Sequence, residues 1–286
     1  MRRDAAATTK ARTGTRGDAP AADPELGGGG PDGVVPSDPN IMTSLVRGLQ
    51  VIQAFSRDTP AMTIAQLSQR TGIPRAAVRR VLYTLRALGF ADAEDDRRYV
   101  LRPRILALGH AYLGALPLTR VAQPVLRRIS DALGESCSVA VLDGDDIVYV
   151  ARASASRIMS IDLHVGSRLP AAFTSMGRVL IAFRPDDLDA RLGRITFTPF
   201  TPNTLRDAAA LRAEIARVRE TGYSVVDQEL ELGLRSIAVP VMAPSGVAVA
   251  AVNVGVHASR MSVADLVEHI QPRLREAAAE LSLCIG

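Results

Sequence analysis

Arg75, Ala76, Arg79, Arg80, Tyr83 and Arg86 lie in one stretch without an acidic residue. Wound as a helix at about 100° per residue, it gathers Arg75, Arg79, Tyr83 and Arg86 into one sector. Val78, Val81, Leu82, Leu85 and Leu88 fill another sector, which would face a core. A carboxylate on the basic sector would meet phosphate repulsion. Arginine, by contrast, bridges guanine O6 and N7 with two parallel hydrogen bonds, worth about 1–3 kcal/mol of base discrimination. Arg75, Ala76 and Arg79, nearest the N-terminus, are the expected base readers, and Arg80 and Arg86 the phosphate contacts. Thr63, Tyr83 and Arg98 complete the DNA-facing set. For an isolated helix, a merely solvated basic face is the competing reading.

A second chemistry, anion binding, lies further along. Gly166, Arg168, Leu169, Pro170 and Ala171 lead into Ser175, Met176, Gly177 and Arg178. If a helix begins there, its first amides and the Ser175 hydroxyl offer a site for a carboxylate. Arg235 and Ser236, before Ile237, add a planar fork for the same or a second carboxylate. The alternatives are an ion pair from Arg235 to Asp227, Glu229 or Glu231, and a simple capping role for Ser175. The histidines, His110, His164, His257 and His269, are scattered. They form no H-E-x-x-H spacing, and no G-x-S-x-G or P-loop pattern is present. The reading is therefore of a non-enzyme without cofactor or metal.

The elements that must position these residues follow from the flanking pattern. Leu45, Leu49, Ile52 and Phe55 recur at helical spacing behind Ser44 as a cap. Thr63 and Gln66 form a capping-box pair, Ile64 and Leu67 face inward, and Gly72 ends a second helix. Pro74 opens the basic helix over residues 74–88. This is a helix-turn-helix. Residues 90–101 alternate about Glu94, Asp95 and Asp96 and predict a two-stranded wing. Arg97 and Arg98 beyond its tip reach a phosphate or the minor groove, or are simply solvated. From Pro103, an apolar helix with Leu106, Leu108, Tyr112 and Leu116 forms a linker that can also meet a second subunit.

Charge agrees with this division. The net +4 and pI near 9.5 resolve into −1 over residues 1–43, +6 over 44–104 and −1 over 105–286, so the basic excess sits on the helix-turn-helix. The first 43 residues, with Gly27 to Gly30 and few large apolar side chains, read as a disordered tail. They show no signal-peptide core, which gives a cytoplasmic expectation. The uncharged stretch 236–259 is long enough to span a bilayer, but Pro240, Pro244, Ser245 and Gly246 interrupt it. It reads as a hairpin, with no membrane partner. Cys137 and Cys284 read as buried apolar residues of a reducing compartment. Residues 118–286 predict an α+β domain: a hairpin about residues 143–146, strands at 223–227 and 236–256, and helices after Thr174, from Asp186, over 204–220 and from Ser262.

The segments SLVRGLQVIQAF, TIAQLSQRTGIPRAAVRRVLYTLRALGF, RRYVL and PRILALGHAYL resemble the N-terminal half of IclR-type transcriptional regulators. VGSRLPAAFTSMGRVLIA and DQELELGLRSIAVPV resemble the C-terminal half. Within the family the likeness is greatest to the branch controlling aromatic-acid catabolism through protocatechuate, 4-hydroxybenzoate and β-ketoadipate, with Ile181 in place of the usual Leu. The resemblance implies a winged helix-turn-helix (44–104), a linker helix (105–117) and a GAF-like α/β effector-binding domain (118–286). It also implies a homodimer or dimer of dimers on a double-stranded operator and a small carboxylate effector. Gly166, Leu169, Pro170, Ala171, Ser175, Met176, Gly177, Arg235, Ser236 and Ile237 would line the effector site.

Overall fold

The computed structural model describes residues 38–95, 97–155, 163–184 and 188–285. The expected tail lies almost wholly outside them. The chain opens with α1 (Thr43–Gln53), β1 (Ala61–Thr63), α2 (Ile64–Thr71), α3 (Arg75–Ala87), β2 (Ala91–Ala93) and β3 (Arg98–Leu101). Thr63 Oγ1 accepts from the Gln66 amide while Gln66 Oε1 accepts from the Thr63 amide, so the capping box forms as read. Gly72, at φ +70°, closes α2 in the left-handed conformation that favours glycine and aims the chain into α3. Pro74 caps α3 rather than beginning it.

At α1 the outcome differs from the spacing. The helix starts at Thr43, with Met42 at the cap, so Ser44 caps nothing. Val51 and Ala54 enter the core, whereas Leu45 and Leu49 are exposed. Val51, Leu67, Val78 and Leu82 are fully buried together, each worth about 1.5–3 kcal/mol of apolar burial. The wing has a third strand: β1 pairs with β3, which pairs with β2. Its three residues run straight into α2 and are too short to show a period.

Beyond the wing, α4 (Leu106–Ala115) and α5 (Pro117–Leu133) meet at 87°. Leu116, in extended conformation, makes the corner, and Pro117 starts the new helix, where a missing amide costs nothing. α5 is not apparent from sequence, because Pro124 lies inside it. No single described helix is long and apolar enough to cross a membrane.

β4 (Ser136–Asp143), β5 (Asp146–Ala153), β6 (Arg168–Pro170), α6 (Ser175–Ala182), α7 (Leu188–Leu192), α8 (Ala208–Thr221), β7 (Ser224–Asp227), β8 (Leu234–Met242), β9 (Ala248–His257), α9 (Val263–Asp265) and α10 (Gln271–Ser282) follow. Strands β4 to β9 form an antiparallel sheet ordered β6-β5-β4-β9-β8-β7. The uncharged stretch is the β8-β9 hairpin. Alternation sorts its side chains: Ile237, Val239, Val252 and Val254 pack with α5 and α10, while Ala238 and Ala251 pack with α6 and α8. The sheet is thus covered on both faces, an α+β sandwich behind a winged helix-turn-helix.

Candidate functional site

On α3, Val78, Leu82 and Leu85 turn inward, and Arg75, Ala76, Arg79, Arg80, Tyr83 and Arg86 are exposed. Tyr83 is 77% exposed, an unusual position for a ring unless something covers it. The guanidinium groups of Arg75, Arg79 and Arg80 make no hydrogen bond or ion pair with the described residues. Arg86 lies 3.7 Å from Asp92 of the wing. The other two candidates are engaged locally. Thr63 spends its hydroxyl in the capping box, and Arg98 binds Asp95 at 3.0 Å with Glu94 at 3.6 Å. The Arg97 and Arg98 amides, with that guanidinium, hold the Asp95 carboxyl below its usual range.

The second site is a cavity between the α6-facing side of the sheet and the first turn of α6. Leu169, Ser175, Met176 and Ser236 line it, as the sequence suggests. Ser175 and Ser236 share a hydrogen bond of 2.9 Å, and the helix cap is Thr174, whose hydroxyl accepts from the Gly177 amide. Gly166, Pro170, Ala171 and Gly177 do not line it. Gly177 serves packing instead: a Cβ there would stand 2.1 Å from the Ala171 carbonyl oxygen.

Arg235 and Ile237 are a correction. With a period of two, the neighbours of Ser236 on β8 point to the opposite face. Ile237 is fully buried against the α5–α10 core. Arg235 donates to Asp227 and, through Nη1, to the Ala258 and Met261 carbonyls at 2.8 and 2.7 Å. It is a structural clamp that includes the Asp227 ion pair weighed as the alternative.

The cation at the cavity is Arg152, which sequence reasoning missed. It stands on β5, partly buried, donating to Ser138 Oγ at 2.9 Å and Ser154 Oγ at 3.2 Å. No carboxylate among the described residues pairs with it, and burial lowers its pKa. Gln123 of α5 donates to its backbone carbonyl at 3.2 Å. Tyr149, its phenol pushed up to about 12 by burial, shares the lining. Residues three apart reach one face because β5 bulges opposite Val139 and Ala140. The signal available in the sequence was a lone arginine within the apolar run IVYVARA.

Around these groups the lining is mostly apolar, with Leu163, Phe173, Val226, Leu230 and Leu234, while Ser136, Thr174, Asn253 and Gly255 complete it. Phe173 is backed edge-on by Phe197 and Phe200 at centroid distances of 6.0 and 5.4 Å. Behind α6, the fully buried Arg178 meets Glu229 at 2.7 and 2.6 Å and donates to the Ala172 carbonyl at 2.9 Å. This ties the loop before β8 to α6. Cys137 is buried on the opposite face, whereas Cys284 is only half-buried, contrary to expectation. Among the described residues no group of three His, Cys, Asp or Glu side chains could hold a metal ion.

Comparison with known proteins bears on both sites. Residues 44–95 match the IclR helix-turn-helix domain, and residues 110–283 match the bacterial transcriptional regulator IclR C-terminal family. The chain is 52% identical over 246 residues to the Pca regulon regulatory protein of Pseudomonas putida, covering 85% of this chain and 84% of the relative. A transcriptional regulator from Rhodococcus sp. RHA1 superposes with TM-score 0.76 at 45% identity, over 86% of this chain and 98% of that one. An IclR homologue of Microbacterium hydrocarbonoxydans, complexed with 4-hydroxybenzoate, superposes with TM-score 0.73 at 26% identity, over 85% and 98%. With both its DNA-reading helix and its sensor half matched in order, the chain belongs to the IclR family of bacterial transcriptional regulators.

Proposed function

We propose that this regulator senses a small carboxylate of aromatic-acid catabolism, an aromatic acid or a β-ketoadipate-pathway metabolite, and that Arg152 binds the carboxylate. The carrying observation is a partly buried guanidinium in an apolar cavity with only hydroxyls as partners. A desolvated cation without a counter-ion gains most from an anionic ligand. The first turn of α6 faces the same space and adds its positive end. Supporting the class are the 4-hydroxybenzoate bound to the Microbacterium homologue and the Pca regulon named for the Pseudomonas relative. The cavity holds about 50 Å³, against about 150 Å³ for one that takes up benzene. A ring therefore enters only as the lining moves apart, which is the change that ligand binding would impose on the fold.

On the DNA side, α3 is the recognition helix, with Arg75, Ala76 and Arg79 at the bases and Arg80, Tyr83 and Arg86 toward the backbone. The division into residues 44–104, 105–117 and 118–286 is supported at its second boundary by the corner at Leu116, one residue before α5 begins. Leu106, Leu108 and Tyr112 of α4 are more than half exposed, and Leu45 of α1 likewise. That apolar surface favours a homodimer, which would place two recognition helices on half-sites about one helical turn apart.

The test is calorimetric titration of the full-length chain with 4-hydroxybenzoate, 3,4-dihydroxybenzoate and 3-oxoadipate, repeated on Arg152→Leu. Binding by the wild type and its loss in the variant, with operator binding retained, is the expected result. Undiminished affinity in Arg152→Leu overturns the assignment.

A further inference from the structure

The register of the sheet sets three polar side chains in a row. Ser138 of β4 lies opposite Arg152 of β5 on one side and opposite Asn253 of β9 on the other. Both ends of the row reach the cavity. Ser138 is satisfied, since it accepts from Arg152 Nη1. Asn253 is not. The residue is 8% exposed, and its Oδ1 is buried without a hydrogen-bond partner among the described residues. The neighbour across the next strand, Ala238, offers only a methyl group. Native proteins rarely leave such an atom unpaired, and where they do a ligand, an ion or a water is the usual explanation.

We propose that Asn253 is the second polar anchor of the effector site, so that the effector is a bifunctional acid. Its carboxylate lies on Arg152, and its second polar group, a hydroxyl or an oxo or carboxylate oxygen, hydrogen-bonds the Asn253 amide. A primary amide suits either partner, because it presents an acceptor oxygen or, turned over, a donor nitrogen. The proposal rests on the assignment of Arg152 to the carboxylate. It adds a selectivity the cation alone cannot give. An acid with nothing beyond its carboxylate would leave the amide buried and unpaired in the complex. A site built to hydrogen-bond a ligand group rejects the analogue lacking it far more strongly than an apolar pocket rejects a missing methylene.

The experiment pairs ligands that differ in the second group and titrates the full-length chain with each. One arm sets 4-hydroxybenzoate and 3,4-dihydroxybenzoate against benzoate; the other sets 3-oxoadipate against hexanoate. In whichever arm binds, the wild type should prefer the bifunctional member by about tenfold or more. Asn253→Leu should bring the two members within about twofold of each other while keeping the weaker affinity. Asn253→Ala serves as a second variant should leucine disturb the fold. Denaturant melting of both unliganded variants provides a further readout, because loss of an unpaired buried amide should leave stability equal or higher. Equal wild-type affinities within each pair, or a preference unchanged in both variants, overturn the proposal while leaving Arg152 in place. The second result would mean that water alone holds the amide. Failure of the wild type to bind any of these acids overturns the carboxylate reading as well.

Discussion

Arg178 and Glu229 face each other fork to fork inside the protein, joining the end of the first turn of α6 to the loop that carries Leu230 into the cavity wall. Each also serves a backbone group: Arg178 the Ala172 carbonyl, and Glu229 Oε2 the Leu205 amide at 3.3 Å. The pair is so thoroughly desolvated that its two halves depend on each other. Arg178→Ala alone, or Glu229→Ala alone, should lower unfolding free energy by about 3–5 kcal/mol, because each strands the opposite charge. Urea denaturation checks this, and a loss below about 1 kcal/mol would show that water reaches the pair. The double replacement Arg178→Met with Glu229→Leu should recover most of the loss.

Gly177→Ala should cost about 3 kcal/mol or more, the upper range of overpacking, because the contact is with main chain. Thermal unfolding of the variant measures it. A melting temperature within a few degrees of the wild type would mean that α6 slides away from Ala171 without penalty.

Arg235→Ala should destabilise the chain, since Asp227 and the Ala258 and Met261 carbonyls lose their donor. Effector affinity should stay within about twofold, as the guanidinium points to the far face of the sheet. Calorimetry showing loss of binding in a folded Arg235→Ala chain would return this arginine to the ligand.

On DNA, Arg79→Ala should relax sequence preference by about 1–3 kcal/mol at one base pair. Arg86→Ala should weaken every sequence alike and reduce the salt slope by about one. Mobility shifts on an operator and on point-substituted operators, at several salt concentrations, separate the two. A uniform loss from Arg79→Ala would remove it from the base readers.

Burial pushes the Cys137 thiol up to about 12, and Cys284 is half-buried at the end of the chain. Iodoacetamide at pH 8 should therefore modify Cys284 in the native protein and spare Cys137, with both reacting in denaturant. Mass spectrometry of the labelled peptides reads the outcome, and native modification of Cys137 would show that the α5–α10 core opens.

The helix-turn-helix was legible because local chemistry decides it. Thr63 and Gln66 cap α2 within four residues, Gly72 turns the chain, and the apolar sector of α3 repeats often enough to fix a face. The cavity was only half legible. Ser175 and Ser236 were found from a helix start and a strand start, but strand parity carried Arg235 to the wrong face. Arg152 and Asn253 become partners of one cavity only through pairings 14 and 115 residues apart, of Ser138 with each of them, which no local pattern announces. α5 was hidden by Pro124, and the first strand of the wing by its brevity.

The bulge in β5 has a practical corollary for anyone retuning this sensor to a new inducer. A mutagenesis library that follows simple alternation through positions 148, 150 and 152 would spend one of its sites on Val150, which is core with α5. Randomising 149 with 152 places both changes in the cavity wall, because the bulge spaces the cavity-facing positions of this strand by three there.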